Sequence, residues 1–262
     1  MRSDHRRWAG RSGPAVRGAP GPQVPERRLL LCGAAALAAA CLLAGPLEAQ
    51  GDGTPRLDRG RFELRSGGER TGTESFEIRR TGQNVKAVAQ IAGTVGASGA
   101  RQVMIQTGTD FRPELFRLRP EAGDARRVTA VREEGRLRLQ VSSPQGDRWK
   151  EFLAPADLTL VQPDVAHLWY LVLRQHREEL ESTGRVRVPA VVPSEARRAE
   201  LTLRREGREQ VSIPGADRPA VRYTATLDDG TEIRIWTSDD GTVLRVEIPG
   251  RGWSAVRLPE AG

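Results

Sequence analysis

Cysteine is nearly absent: of 262 residues only Cys32 and Cys41 carry a thiol, and both precede Gln50. If the segment before Gln50 is removed on export, no thiol is left. Disulfides, thiolate metal sites and cysteine nucleophiles are then excluded. Stability must come from a hydrophobic core, which the 213 residues from Gln50 onward can supply in one domain. Lysine is confined to Lys86 and Lys150, so the cationic charge is almost all arginine. The chain has no G-x-S-x-G elbow, H-E-x-x-H helix, phosphate-binding P-loop or G-x-G-x-x-G turn, so no cofactor, no metal and no catalytic residue is assigned. Aromatic residues make up 5% and do not interleave with a basic face, which argues against nucleic acid as a partner.

The formal charge of +7 and the pI near 10.5 belong largely to the N-terminal segment. Seven of the 41 basic and three of the 34 acidic residues precede Gln50, so the remainder carries +3. Residues 1–49 read as a signal peptide: an Arg-, Gly- and Pro-rich start, an apolar run from Leu29 to Leu43, and a cleavage point after Ala49. That run is short against the roughly 20 residues a bilayer requires, so no integral span is expected after its removal. Arg27-Arg28 before the run fits general or twin-arginine export. The expected location is exported, periplasmic or secreted. The alternative is a lipoprotein anchored at Cys41, after Ala38-Ala39-Ala40.

Residues 50–56 read as a disordered linker and 57–262 as a single β-rich domain. Period-two alternation runs through Arg61 to Arg65, Ser75 to Arg79, Val85 to Ile91, Gln102 to Gln106 and Arg136 to Val141, which marks half-buried strands. Asp228-Asp229-Gly230 and Asp239-Asp240-Gly241 separate three such runs and predict a meander, because the hairpin turn needs positive φ at its centre. Glu134-Gly135-Arg136 and Glu206-Gly207-Arg208 are expected at comparable turns. Against about a dozen strands stands one long helical pattern, Gln162 to Thr183. Pro163 suits its first turn and Gly184 a left-handed C-cap. Val165 to Leu173 is apolar almost throughout and Arg174 to Glu181 is charged, so one end is expected to be enclosed and the other to reach water. The expected fold is mainly β: a long curved antiparallel sheet, half-barrel or open barrel, wrapped around one central α-helix.

The Phe62 to Ile78 hairpin with Glu69-Arg70-Thr71-Gly72 at its bend, the Phe111-Arg112-Pro113-Glu114-Leu115-Phe116 segment and the closing Trp236 to Val246 run resemble those of exported bacterial half-barrel proteins of unknown function. These are akin to the lipoprotein-carrier (LolA/LolB-like) superfamily. The resemblance implies an incomplete β-barrel that wraps helices and lines an apolar cavity. The carriers hold several helices, this chain one.

The residues expected to line a ligand space are Leu168, Trp169, Val172, Phe76, Tyr223 and Trp236, with core packing as the competing role for each. His167 and His176 fall on opposite faces of one helix and cannot share a metal. Asp164 and His167 share a face and form the only candidate catalytic pair, although a first-turn aspartate ordinarily serves the helix dipole. Three functions are therefore expected, in order. The first is an exported non-enzymatic envelope protein that binds an apolar or lipid ligand in the concave sheet face. The second is an envelope scaffolding module with a packed interior and a protein partner. The third is a hydrolase.

Overall fold

A computed structural model describes residues 55–93, 100–121 and 126–259. The expected signal segment and residues 50–54 of the expected linker lie outside them. From the centre of one sheet the chain runs as an antiparallel meander through β1 (Arg56–Ser66), β2 (Glu69–Thr81), β3 (Asn84–Gly93), β4 (Arg101–Gly108), β5 (Pro113–Pro120), β6 (Arg127–Glu133), β7 (Arg136–Ser143) and β8 (Gly146–Leu153), the last at one edge. It then crosses through β9 (Thr159–Leu160), α1 (Leu168–Gln175) and α2 (Arg177–Thr183). A second meander returns to the centre: β10 (Arg185–Val192), β11 (Arg197–Ile213), β12 (Ala216–Leu227), β13 (Glu232–Thr237), β14 (Val243–Ile248) and β15 (Trp253–Arg257).

The result is one large, curved, open sheet of 15 strands with β8 and β9 at its edges. Among the described residues only the β9–β10 pairing is parallel. The first and last strands meet at the middle, with Leu64 opposite Ala255, and the Arg257 guanidinium grips both oxygens of Asp58 at 3.0 and 2.7 Å across that seam. Gly60 makes room for it: a Cβ there would lie 2.8 Å from Arg257 Nη2. The β8 edge is exposed along almost its whole length, and its Asp147, Arg148, Lys150 and Glu151 blunt it against edge-to-edge pairing.

Alternation places Phe62, Ile78, Ile91, Leu139, Leu201 and Ile235 on one face of the sheet, and all of them join a single buried cluster with Leu168, Trp169 and Leu171 of α1. A second, smaller cluster holds Val211, Ala220, Trp236 and Leu244. Since Ile235 belongs to the main core, its neighbour Trp236 must point to the opposite face of β13.

Three details depart from the sequence reading. The helix expected over 162–183 is divided: Pro163, Asp164, Ala166 and His167 lie in turns, and His176 separates α1 from α2 with φ −111° and ψ 16°. At that break Gln175 Nε2 donates to the Leu158 carbonyl at 3.1 Å and the His176 ring hydrogen-bonds Thr159 Oγ1 at 2.6 Å, tying it to the β9 segment. Glu206-Gly207-Arg208 is no turn. It is a bulge inside the continuous strand β11, with Gly207 at φ 138°. Strands β9 and β15 bring the total above the expected dozen. The two Asp-Gly hairpins form where expected, with Gly230 and Gly241 at φ 84° and 88°, and Gly184 caps α2 at φ 71°.

Candidate functional site

Two clusters of polar side chains lie where the crossover meets the sheet. The first is buried. The α1 terminus has no local side-chain cap and no acidic residue in its first turn, so its free N–H groups need a partner from elsewhere. Glu74 on β2 provides it. Its carboxylate, fully buried, accepts the backbone N–H of Ala166 at 2.9 Å and of His167 at 2.8 Å, and the His167 Nδ1 proton at 2.8 Å. Phe76 stacks on the His167 ring with centroids 5.8 Å apart. The candidate Asp164–His167 pair does not form. Asp164 instead accepts from Arg101 at 2.5 Å and from Gln162 at 2.7 Å. Burial works to raise the Asp164 carboxyl, but the Arg101 guanidinium and the Gln162 amide outweigh it and hold it below its ordinary value. His167 and Glu74 have no exposed surface, so this cluster anchors α1 to β2 and presents nothing to a substrate.

The second cluster is open. A pocket of about 180 Å3 is bounded on one side by α1 and α2 and on the other by β11, β12 and the β13–β14 turn. The helical side contributes Tyr170, Leu173, Arg174, Arg177 and Glu181, spaced three and four apart, so they form one stripe that continues across the break at His176. From the sheet come Arg205 and Arg208 of β11 with Val221 and Tyr223 of β12. Register sets these last residues: Arg205 lies opposite Tyr223, and Val221 opposite the buried Thr237.

Charge in the pocket is unevenly compensated. Arg177 pairs with Glu181 at 2.6 Å and Arg208 with Asp239 at 2.9 Å, all four side chains being more than half exposed. Such pairs contribute only about 0.2–1 kcal/mol each. The Arg174 guanidinium stacks 5.0 Å from the Tyr170 ring centroid and donates to the Asp240 carbonyl, a neutral partner. Gly241 permits this approach, since a Cβ there would stand 3.2 Å from Arg174 Nη2. Burial pushes the Tyr170 hydroxyl above its ordinary value, with Arg174 opposing, so it is a neutral donor at pH 7. Among the described residues no group of three or more His, Cys, Asp or Glu side chains is placed to hold a metal, and no helix is long and apolar enough to cross a membrane.

Of the six residues expected to line a ligand space, Leu168, Trp169, Val172 and Phe76 are packed in the main core. Trp236 is in the other cluster, its indole N–H donating to Glu209 at 2.6 Å. Tyr223 alone borders the pocket. The structure therefore does not bring the six together. The pocket's arginines escaped the sequence reading, although the 170, 173, 174, 177, 181 spacing was there to mark the stripe. Glu74 escaped it as well, although it shares the inward parity of Phe76 and Ile78.

One family model, described as Protein of unknown function (DUF3108), matches residues 61–249. No curated protein and no solved structure matches the chain.

Proposed function

The chain belongs to the DUF3108 family, and from that premise we propose that it is an exported, non-enzymatic envelope protein. In this reading the sheet is a half-barrel wrapped around α1, akin to the LolA/LolB-like carriers, and a small ligand binds at its mouth. Three features support the wrapped geometry: the helical crossover between the two meanders, the open edges at β8 and β9, and the burial of every α1 residue from Leu168 to Leu173.

The packing speaks against a ligand space along the concave face. Trp169 is 1% exposed and Leu168 2%, so an acyl chain lying there would have to displace the helix. The mouth pocket, near 180 Å3, is smaller than the roughly 300–1,000 Å3 of clefts that enclose drug-sized ligands. It suits a small molecule or the polar end of a larger one. The observation that carries the proposal is the convergence of Tyr170 and Tyr223 from helix and sheet on this open concavity.

Native mass spectrometry of protein isolated from the envelope fraction tests it. A retained small molecule is expected in the natural protein and its loss in Val221→Phe, which fills the pocket. Consistently ligand-free protein, or a retained mass indifferent to Val221→Phe, would remove the proposal. The filled interior favours a second reading, an envelope interaction module, which that negative result would leave standing. A hydrolase built on His167 gains no support from a ring with no exposed surface.

A further inference from the structure

We infer that the mouth pocket recognises an oxyanion, a phosphate or carboxylate group, with Arg205 as its principal contact. This rests on the mouth-pocket reading above and assigns the chemical class of its ligand. Four guanidinium groups, of Arg174, Arg177, Arg205 and Arg208, border the pocket, and two carboxylates, of Glu181 and Asp239, border it with them. Those two acids are used by Arg177 and Arg208. Arg174 has the Asp240 carbonyl and the Tyr170 ring as neutral partners, and its Nε is buried with no hydrogen-bond acceptor. Among the described residues the Arg205 side chain has no ion pair and no hydrogen bond, although its backbone N–H is fixed to the Gly184 carbonyl at 2.9 Å. The Arg174 charge is also answered in part by the Asp240 carboxylate, which it helps hold below its ordinary value, so Arg205 is the guanidinium that stands without a carboxylate, beside an apolar wall of Leu173 and Val221.

Uncompensated charge of one sign in a concave site with low-dielectric walls focuses the potential and concentrates counter-ions. A guanidinium has a fork of donors that matches a carboxylate or phosphate with two parallel hydrogen bonds. The opposing Tyr170 and Tyr223 add aromatic surface for whatever the anion is attached to. A neutral ligand would leave the Arg205 charge unanswered, and a cation would be repelled by it.

Free phosphate and the headgroup of an anionic lipid share this chemistry, and two assays separate them. In the first, inorganic phosphate is titrated into the isotopically labelled protein while the backbone amides of Arg205, Tyr223 and Thr237 are followed. In the second, the protein is sedimented with vesicles of phosphatidylcholine alone or with one-third phosphatidylglycerol. Binding is expected in at least one anionic assay, weakening as salt rises. Arg205→Ala should weaken it about tenfold or more, as for loss of a charge-assisted hydrogen bond, and Arg205→Lys should restore part. The side chain is exposed, so an unchanged urea midpoint confirms that the variants fold. Phosphate binding identifies a free anion as sufficient; binding only to phosphatidylglycerol vesicles identifies a headgroup. No anion binding, or binding that Arg205→Ala leaves unchanged, overturns the inference. If Val221→Phe still releases a native ligand in that case, the mouth pocket stands and only its anion specificity falls.

Discussion

Replacing Glu74 should unfasten the crossover from the sheet. Its carboxylate holds the two residues that lead into α1, where the N-cap residue makes no side-chain cap of its own, and it accepts three hydrogen bonds in a site without solvent. Glu74→Ala leaves two backbone N–H groups and one imidazole N–H buried without an acceptor. Each orphaned group costs about 1–3 kcal/mol, but removing a buried charge also relieves its desolvation. The net loss should therefore approach the 3–5 kcal/mol typical of breaking a buried pair rather than the full sum. Against a total stability of roughly 5–15 kcal/mol this is a large fraction. Glu74→Gln keeps the shape and one acceptor but turns an NH2 donor toward an N–H donor, so it should lose about half as much. Urea denaturation gives both values if the m-value is unchanged. Native-state hydrogen exchange supplies the local signature, faster exchange at the Ala166 and His167 amides. If Glu74→Ala unfolds within about 0.5 kcal/mol of the natural protein, the effect of an ordinary surface change, the capping argument fails.

His176 carries the acid dependence expected of the crossover. Burial pushes its imidazole down to about 4, with Asp157 opposing, while the unfolded chain takes up the proton near 6.5. The native ring is therefore neutral at pH 7; its stabilising share is complete above pH 6.5 and disappears as the pH falls toward 4. The gap corresponds to about 3 kcal/mol, so the stability advantage of the natural protein over His176→Gln should shrink by that amount between pH 7 and pH 4. An advantage independent of pH would contradict the assignment. At the N-terminus, sequencing of exported protein should begin at Gln50, and a diacylated peptide starting at Cys41 would replace this with a membrane-anchored form.

The strands were legible because one face of the sheet is buried and the other is not, which writes period two directly into the chain. Asp-Gly turns and Gly184 were legible because their positive φ restricts the choice of residue. The helix was legible in existence but not in extent. Its start depends on a carboxylate 92 residues away in the chain, and its break on a contact with Thr159, and neither leaves a local pattern. Gly207 looked like a turn because a bulge and a turn both call for positive φ, and only pairing with β12 distinguishes them. Residue type groups Trp236 with Tyr223, but the parity of Ile233 and Ile235 puts it on the other face. The pocket needs β11 to lie opposite the helix, a relation set by the order of strands across the whole sheet and absent from any local window.

The central claim is that α1 fills the concave face and leaves only the mouth for a ligand. Urea midpoints of Trp169→Ala and Glu179→Ala test it most directly. Truncating Trp169, 1% exposed, should cost about 3–5 kcal/mol, whereas Glu179, exposed on α2, should cost no more than about 0.5. A midpoint well below that of the natural protein for the first variant only, at unchanged m-value, is the predicted result. Equal midpoints for the two would mean that the helix is peripheral, and would contradict both the wrapped fold and the placing of the site at its mouth.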